Sequence, residues 1–180
     1  MICGIDEAGR GCIAGQMVVA GVVLTNPVEG LMDSKKLSEA KREALYDTII
    51  HNSEYKIIVF SAQDIDSLGI SKCINQALTT IKSHFNDRKI LFDGNSTFGV
   101  EGINTMVKAD SKIPEVSAAS ILAKVTRDRD INAFALQYPE YKFEKHKGYL
   151  TKAHKEALLE HGYTSIHRRS FKVKGLNSEL

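Results

Sequence analysis

The chain has 180 residues, 43% hydrophobic and 26% charged, with a formal net charge of +2. That size suits one domain with a substantial core, and the composition excludes collagen-like, disordered and membrane-spanning classes, since no tract approaches the roughly 20 apolar residues of a bilayer span. Cys3, Cys12 and Cys73 are odd in number and show no C-x-x-C spacing, which argues against a disulfide framework or a zinc ribbon and for reduced thiols.

Residues 1–6 (MICGID) read as a first strand. Asp6 and Glu7 interrupt it too early for the apolar run of about 7–15 residues in a secretory signal, so a cytoplasmic location is expected. Residues 17–24 (MVVAGVVL), continuous and β-branched, form a second strand joined to the first through Gly9-Arg10-Gly11. Ser38 is a helix N-cap, followed by Ala40, Ala44, Leu45, Thr48 and Ile49 on an inner face, with Lys41, Arg42 and Asp47 facing out. Residues 55–60 (YKIIVF) and 89–92 (KILF) are further strands. Between them a helix over 71–85 aligns Ile74, Ala77, Leu78, Ile81 and Phe85. Residues 103–108 (INTMVK) make a fifth strand. Pro114 opens a longer helix, whose small run SAAS (117–120) permits close packing on a sheet. A last helix covers 151–161 and stops at Gly162. Strands first, then strands alternating with helices, predict an α/β domain with a mixed sheet and a helical C-terminal extension.

On this layout the acids collect at strand ends: Asp6 and Glu7 after the first strand, Asp93 after KILF, and Asp110 after INTMVK. The carboxyl ends of strands are where ligand sites form in α/β sheets. Gathered carboxylates raise one another's pKa unless cations neutralise them, and an all-oxygen donor set suits Mg²⁺ or Mn²⁺. Two such ions on carboxylates are common machinery for phosphodiester hydrolysis. Charge is also uneven. Residues 142–175 carry nine Lys/Arg against three acids, and residues 1–141 carry 15 against 18. A basic tail on an acidic body points to a polyanionic partner. A nucleic-acid binding module without catalysis explains the tail but leaves the four acids idle. A dinucleotide site at GRGCIAG fails because the glycine spacing is one residue too long. His146, His154, His161 and His167 fit no zinc-finger spacing and read as surface, capping or phosphate-proximal residues.

Seven stretches, GIDEAGRG (4–11), DSKKL (33–37), LFDGN (91–95), KADSK (108–112), SAASILAKVTRD (117–128), HKGY (146–149) and HRRSF (167–171), resemble the bacterial ribonuclease HII family in order across nearly the whole chain. The resemblance implies a ribonuclease H-like fold, with a five-stranded mixed sheet flanked by helices. It divides the chain into a catalytic core (1–140) and a basic helical extension (141–180), packed as a single structural unit. It implies an endoribonuclease that cuts on the 5′ side of ribonucleotides in RNA-DNA hybrids or singly embedded in duplex DNA. The products carry a 3′-hydroxyl and a 5′-phosphate, and the cut starts ribonucleotide excision. The family's metal-site carboxylates fall on Asp6, Glu7, Asp93 and Asp110, holding Mg²⁺ or Mn²⁺, two ions during catalysis. The loop that meets the ribonucleotide falls on Gly9, Arg10 and Gly11, and the sugar-stacking tyrosine on Tyr149. Substrate-backbone contacts are expected from Lys35, Lys36, Ser117, Lys124, Lys147 and Arg168, with Arg127 and Arg169 as further phosphate candidates. Leu150 stands where the family usually has glycine, which predicts strain beside Tyr149 if that position needs a positive φ. Ala109 replaces another common glycine. The tail KGLNSEL carries no aromatic sliding-clamp motif, so clamp recruitment is unsupported; a monomer without an obligate protein partner or membrane contact is expected.

Overall fold

A computed structural model describes residues 1–31 and 37–174. Five strands, β1 (Ile2–Ala8), β2 (Met17–Leu24), β3 (Ser53–Phe60), β4 (Lys89–Asp93) and β5 (Ile103–Met106), form one sheet in the order β3-β2-β1-β4-β5. β1 and β3 both pair antiparallel with β2, whereas β4 is parallel to both β1 and β5. The sheet is therefore mixed, as expected. β2 explains its own unbroken apolar run: Met17, Val19 and Val23 enter one core, and Val18, Ala20 and Val22 enter the other. A strand covered on both faces has no polar side to show.

The helices are α1 (Glu39–His51), α2 (Ala62–Leu68), α3 (Ile70–His84), α4 (Pro114–Gln137), α5 (Phe143–His146) and α6 (Lys152–His161). One sheet face carries α3, whose Cys73, Ile74, Ala77, Leu78 and Ile81 meet Ile5 and Phe92. The other carries α4, whose buried alanines, Ala118, Ala119 and Ala123, let it lie close over β1 and β2. α1 packs against α4 through Leu45, Tyr46, Ile49 and Ile50. Ser38 caps α1 as read, its side chain accepting from the Lys41 amide. The inner face is rotated from the expected one, because Ala40, Ala44 and Thr48 are exposed and Arg42 is not.

A third core joins Ile13, Ala14 and Ile131 to Tyr141, Phe143, Leu158, Ile166 and Val173. It seats the segment beyond residue 141 on the loop that follows β1. Thr151 caps α6, and Gly162 ends it.

Candidate active site

β1 and β4 run side by side with Ile5 opposite Phe92, which leaves Asp6 and Asp93 as neighbours at the same end of the sheet. Asp110 arrives from a 3-10 turn (Ala109–Ser111) just beyond β5, and its amide donates to Asp93 Oδ2 at 3.4 Å. One carboxylate oxygen from each of Asp6, Asp93 and Asp110 lies within 4.8 Å of the others. Burial pushes the Asp6 carboxyl up to about 8, reinforced by the charges of Glu7 and Asp93. Hydrogen bonds from the Ser120 side chain and the Glu7 amide oppose that rise without cancelling it. Asp6 thus sits, buried, beside like charges that its two hydrogen-bond donors do not offset, in a group of oxygen ligands alone, and that suits a hard divalent cation.

Glu7 lines the same cleft outside the three-aspartate group, with Oε1 2.9 Å from Arg10 Nη2. The cleft has a volume of about 550 Å³. Its walls include Gly9, Arg10 and Gly11, then Lys124 and Tyr149. The Arg10 guanidinium also lies 5.4 Å from the Phe98 ring centroid. Tyr149 is half exposed. Its hydroxyl meets the Cys12 thiol, and the Arg127 guanidinium is 5.9 Å from its ring.

A family model described as Ribonuclease HII matches residues 3–174. The chain belongs to the ribonuclease HII family. It is 63% identical over 176 residues to a ribonuclease HII of Sulfurovum sp. (strain NBC37-1), covering 98% of this chain and 94% of that one. A Campylobacter jejuni ribonuclease HII is 53% identical over 173 residues, covering 96% and 91%. Among solved structures, the PCNA:RNase HII complex from Archaeoglobus fulgidus aligns with a TM-score of 0.79 at 27% identity, covering 93% of this chain and 92% of that one. Ribonuclease H2 from Pyrococcus horikoshii OT3 aligns at 0.74 with 28% identity, covering 95% and 93%. The fold is ribonuclease H-like, and the protein is an endoribonuclease of the ribonuclease H type. The reading as a binding module without catalysis is set aside.

Other substrate-binding expectations for a ribonuclease HII meet a different geometry. Arg168 is fully buried: Nε and Nη2 donate to the Gly15 carbonyl at 3.1 and 3.0 Å, and Nη1 donates to the Arg10 carbonyl at 3.0 Å. It braces the glycine-arginine-glycine loop from inside, out of contact with solvent. Burial lowers its pKa to about 10, which still leaves it cationic near neutrality. Arg127, 1% exposed, donates to the carbonyls of Gln16, Ala14 and Lys147 and also lines the cleft. Ser117 is buried and donates to the Leu31 carbonyl, whereas Ser120, one turn further along α4, faces the cleft. The Lys147 ammonium reaches Asn132 Oδ1 at 2.7 Å and Glu39 at 3.5 Å, and Lys147 is not among the cleft residues. Lys124 is in the cleft, paired with Asp128 at 2.7 Å. Lys35 and Lys36 lie outside the described residues. Leu150 is not among the residues with positive φ, so the expected strain is not there. It falls on Lys147, at φ 50°. Arg42 joins the cleft although it was expected to face out. His146, His154 and His167, expected as surface, capping or phosphate-proximal residues, are buried.

Proposed function

We propose that this cleft hydrolyses the phosphodiester on the 5′ side of a ribonucleotide, in RNA-DNA hybrids or singly embedded in duplex DNA, leaving a 3′-hydroxyl and a 5′-phosphate. The observation that carries the reading is the approach of Asp6, Asp93 and Asp110 to within 4.8 Å, with Asp6 and Asp93 lining one cleft beside the glycine-rich loop. Asp6, Glu7, Asp93 and Asp110 would hold two divalent cations, Mg²⁺ or Mn²⁺. Such ions, when bound, supply Lewis acidity that makes water nucleophilic near neutral pH and stabilises charge on the departing 3′ oxygen. The chain's own groups do the rest. The backbone of Gly9, Arg10 and Gly11 meets the 2′-hydroxyl, a donor and acceptor that only a ribonucleotide offers. The Tyr149 ring stacks on the neighbouring sugar, and Lys124 meets a phosphate without reading sequence. Ser120 orients the Asp6 carboxylate.

In the same proposal the chain divides into a 1–140 core and a 141–180 extension as a single unit; for the described part of the extension, the core shared by Ile13, Phe143 and Leu158 supports it. A monomer in the cytoplasm completes it; three buried, free cysteines fit the reducing compartment. Among the described residues, no helix is long and apolar enough to cross a membrane.

The test is a labelled DNA duplex with one embedded ribonucleotide, incubated with Mg²⁺ or Mn²⁺ beside all-DNA and EDTA controls. A metal-dependent nick on the 5′ side of the ribonucleotide is expected. Asp110→Asn should lower kcat by about a hundredfold or more with folding retained, because a ligand charge is lost while shape is kept. An Asp110→Asn protein of wild-type activity overturns the assignment.

A further inference from the structure

Beneath the segment that presents Tyr149 lie three buried histidines to which the reaction assigns nothing. His154 on α6 places Nδ1 2.9 Å from the Tyr149 carbonyl and Nε2 3.0 Å from His167 Nε2. His167 Nδ1 faces the Thr164 amide at 2.9 Å and the Thr164 hydroxyl at 2.8 Å. The network assigns the tautomers. A carbonyl only accepts, so His154 Nδ1 carries the hydrogen and its Nε2 accepts. His167 Nε2–H is then the donor between the rings, and His167 Nδ1 accepts from Thr164. The third ring, His146, stacks on His154 at 4.3 Å. Every nitrogen of the His154–His167 pair has one role and a partner for it.

The pair sits where the two substrate-facing loops meet. His167 forms a β-bridge with Ala14, and the next amide, of Arg168, donates to the Ile13 carbonyl at 2.8 Å. The Ile13 amide in turn donates to the Gly148 carbonyl at 3.0 Å. Just before Tyr149 the chain passes two consecutive left-handed residues, Lys147 (φ 50°) and Gly148 (φ 83°), a path that holds only when its surroundings determine it. The half-exposed Tyr149 ring belongs to none of the three cores; beyond the Cys12 thiol at its hydroxyl and Arg127 beside its ring, its aim is set by the main chain that carries it, whose Tyr149 carbonyl accepts from His154 and from the Thr151 amide at 2.9 Å.

We infer that His154, backed by His167, is a positioning residue for substrate recognition: its Nδ1–H fixes the Tyr149 carbonyl and so sets where the tyrosine ring meets the sugar. The inference rests on the proposed contact between Tyr149 and the substrate. It assigns a task to α6 and the 164–168 segment, which hold the recognition tyrosine in register with the glycine-arginine-glycine loop.

The experiment is steady-state cleavage of the single-ribonucleotide duplex by His154→Asn, His154→Gln, Tyr149→Ala and Tyr149→Ala/His154→Gln, with thermal melts of each. An asparagine amide nitrogen occupies the Nδ1 position and keeps the donor to Tyr149, whereas glutamine reaches the Nε2 position and loses it. His154→Gln should raise KM about tenfold with kcat within about twofold, and His154→Asn should stay within about threefold of wild type in both. In the Tyr149→Ala background, His154→Gln should change KM by less than about twofold, since residues acting through one another are not additive. Equal KM for the asparagine and glutamine variants, or a full tenfold effect without the Tyr149 ring, overturns the inference. Tyr149→Ala with an unchanged KM would instead remove the proposed sugar contact, and this inference with it. If His154→Gln does not fold, Thr164→Val takes its place. It removes one of the two bonds that hold the His167 tautomer and should raise KM about threefold with kcat unchanged, and an unchanged KM overturns the inference equally.

Discussion

Gly9 and Gly11 look alike in the sequence and differ in what surrounds them. Gly9 has a φ of 88°, and a Cβ there would lie 2.2 Å from Arg127 Nε and 2.6 Å from the Gln16 carbonyl. Gly11 has no heavy atom within 4 Å of an added Cβ and no positive φ. The fold therefore requires the first glycine and leaves the second free for close approach by something outside the chain. Gly9→Ala should lose about 2 kcal/mol or more of stability. Gly11→Ala should melt within about 0.5 kcal/mol of wild type, yet cut the embedded ribonucleotide more slowly. Melting curves beside the cleavage assay check both, and a Gly11→Ala protein that cuts normally would remove the loop from recognition. Asp6 shows a related separation of stability from function. Its carboxyl is held at about 8 by burial first and by Glu7 and Asp93 second, so the charge that serves a cation opposes folding without one.

At the scale of elements, α6 and the 164–168 segment carry an acid sensitivity of their own. Burial, as the leading cause, lowers the pKa of His154 to about 4 and of His167 to about 3, from an ordinary 6.5. Between those values the unfolded chain binds more protons than the folded one. The histidines' contribution is therefore whole above about pH 6.5 and is lost as pH falls toward 4 and then 3. Urea midpoints measured from pH 7 downward should fall, and His154→Asn should fall less steeply because one buried imidazole is gone. An identical slope in the variant contradicts this. These rings also mark what the sequence hid. Spacings of eight, seven and six residues said nothing of a cluster, since the contacts join α5, α6 and the segment beyond. Strand β2 was legible residue for residue, because burial on both faces leaves an unbroken β-branched run. α2 was overlooked although its capping box, Ser61 with Asp64, is written in the chain. Ser117 and Ser120 share one turn of α4, and only the packing of that helix shows which faces the acids. The carboxylates were readable because strand ends predict where acids converge. The roles of Arg127 and Arg168 were not, because charge in a sequence does not reveal burial.

For the molecule as a whole, two of the basic tail's nine cations are turned to internal tasks, while Lys142, Lys145, Lys152, Arg169, Lys172 and Lys174 stay exposed. Arg168 holds carbonyls inside, and Lys147 is engaged with Asn132 and Glu39. Lys124, at the cleft wall, is the better-placed cation. Lys124→Ala should weaken binding to duplexes of any sequence alike and lower the slope of log affinity against log salt by about 1. Fluorescence titrations over a salt series check this, and an unchanged slope would detach Lys124 from the phosphates. The bond from Arg168 to the Arg10 carbonyl also has a temporal side. On the ribosome, Asp6 and Asp93 emerge long before residue 168, so the growing chain can gather its acids while the loop beside them still lacks its inner brace. The proposed ribose-reading loop is thus braced later than its neighbouring acids are made, and a chain cut before Arg168 is expected to keep those acids while the loop loses its inward bonds at the Arg10 and Gly15 carbonyls.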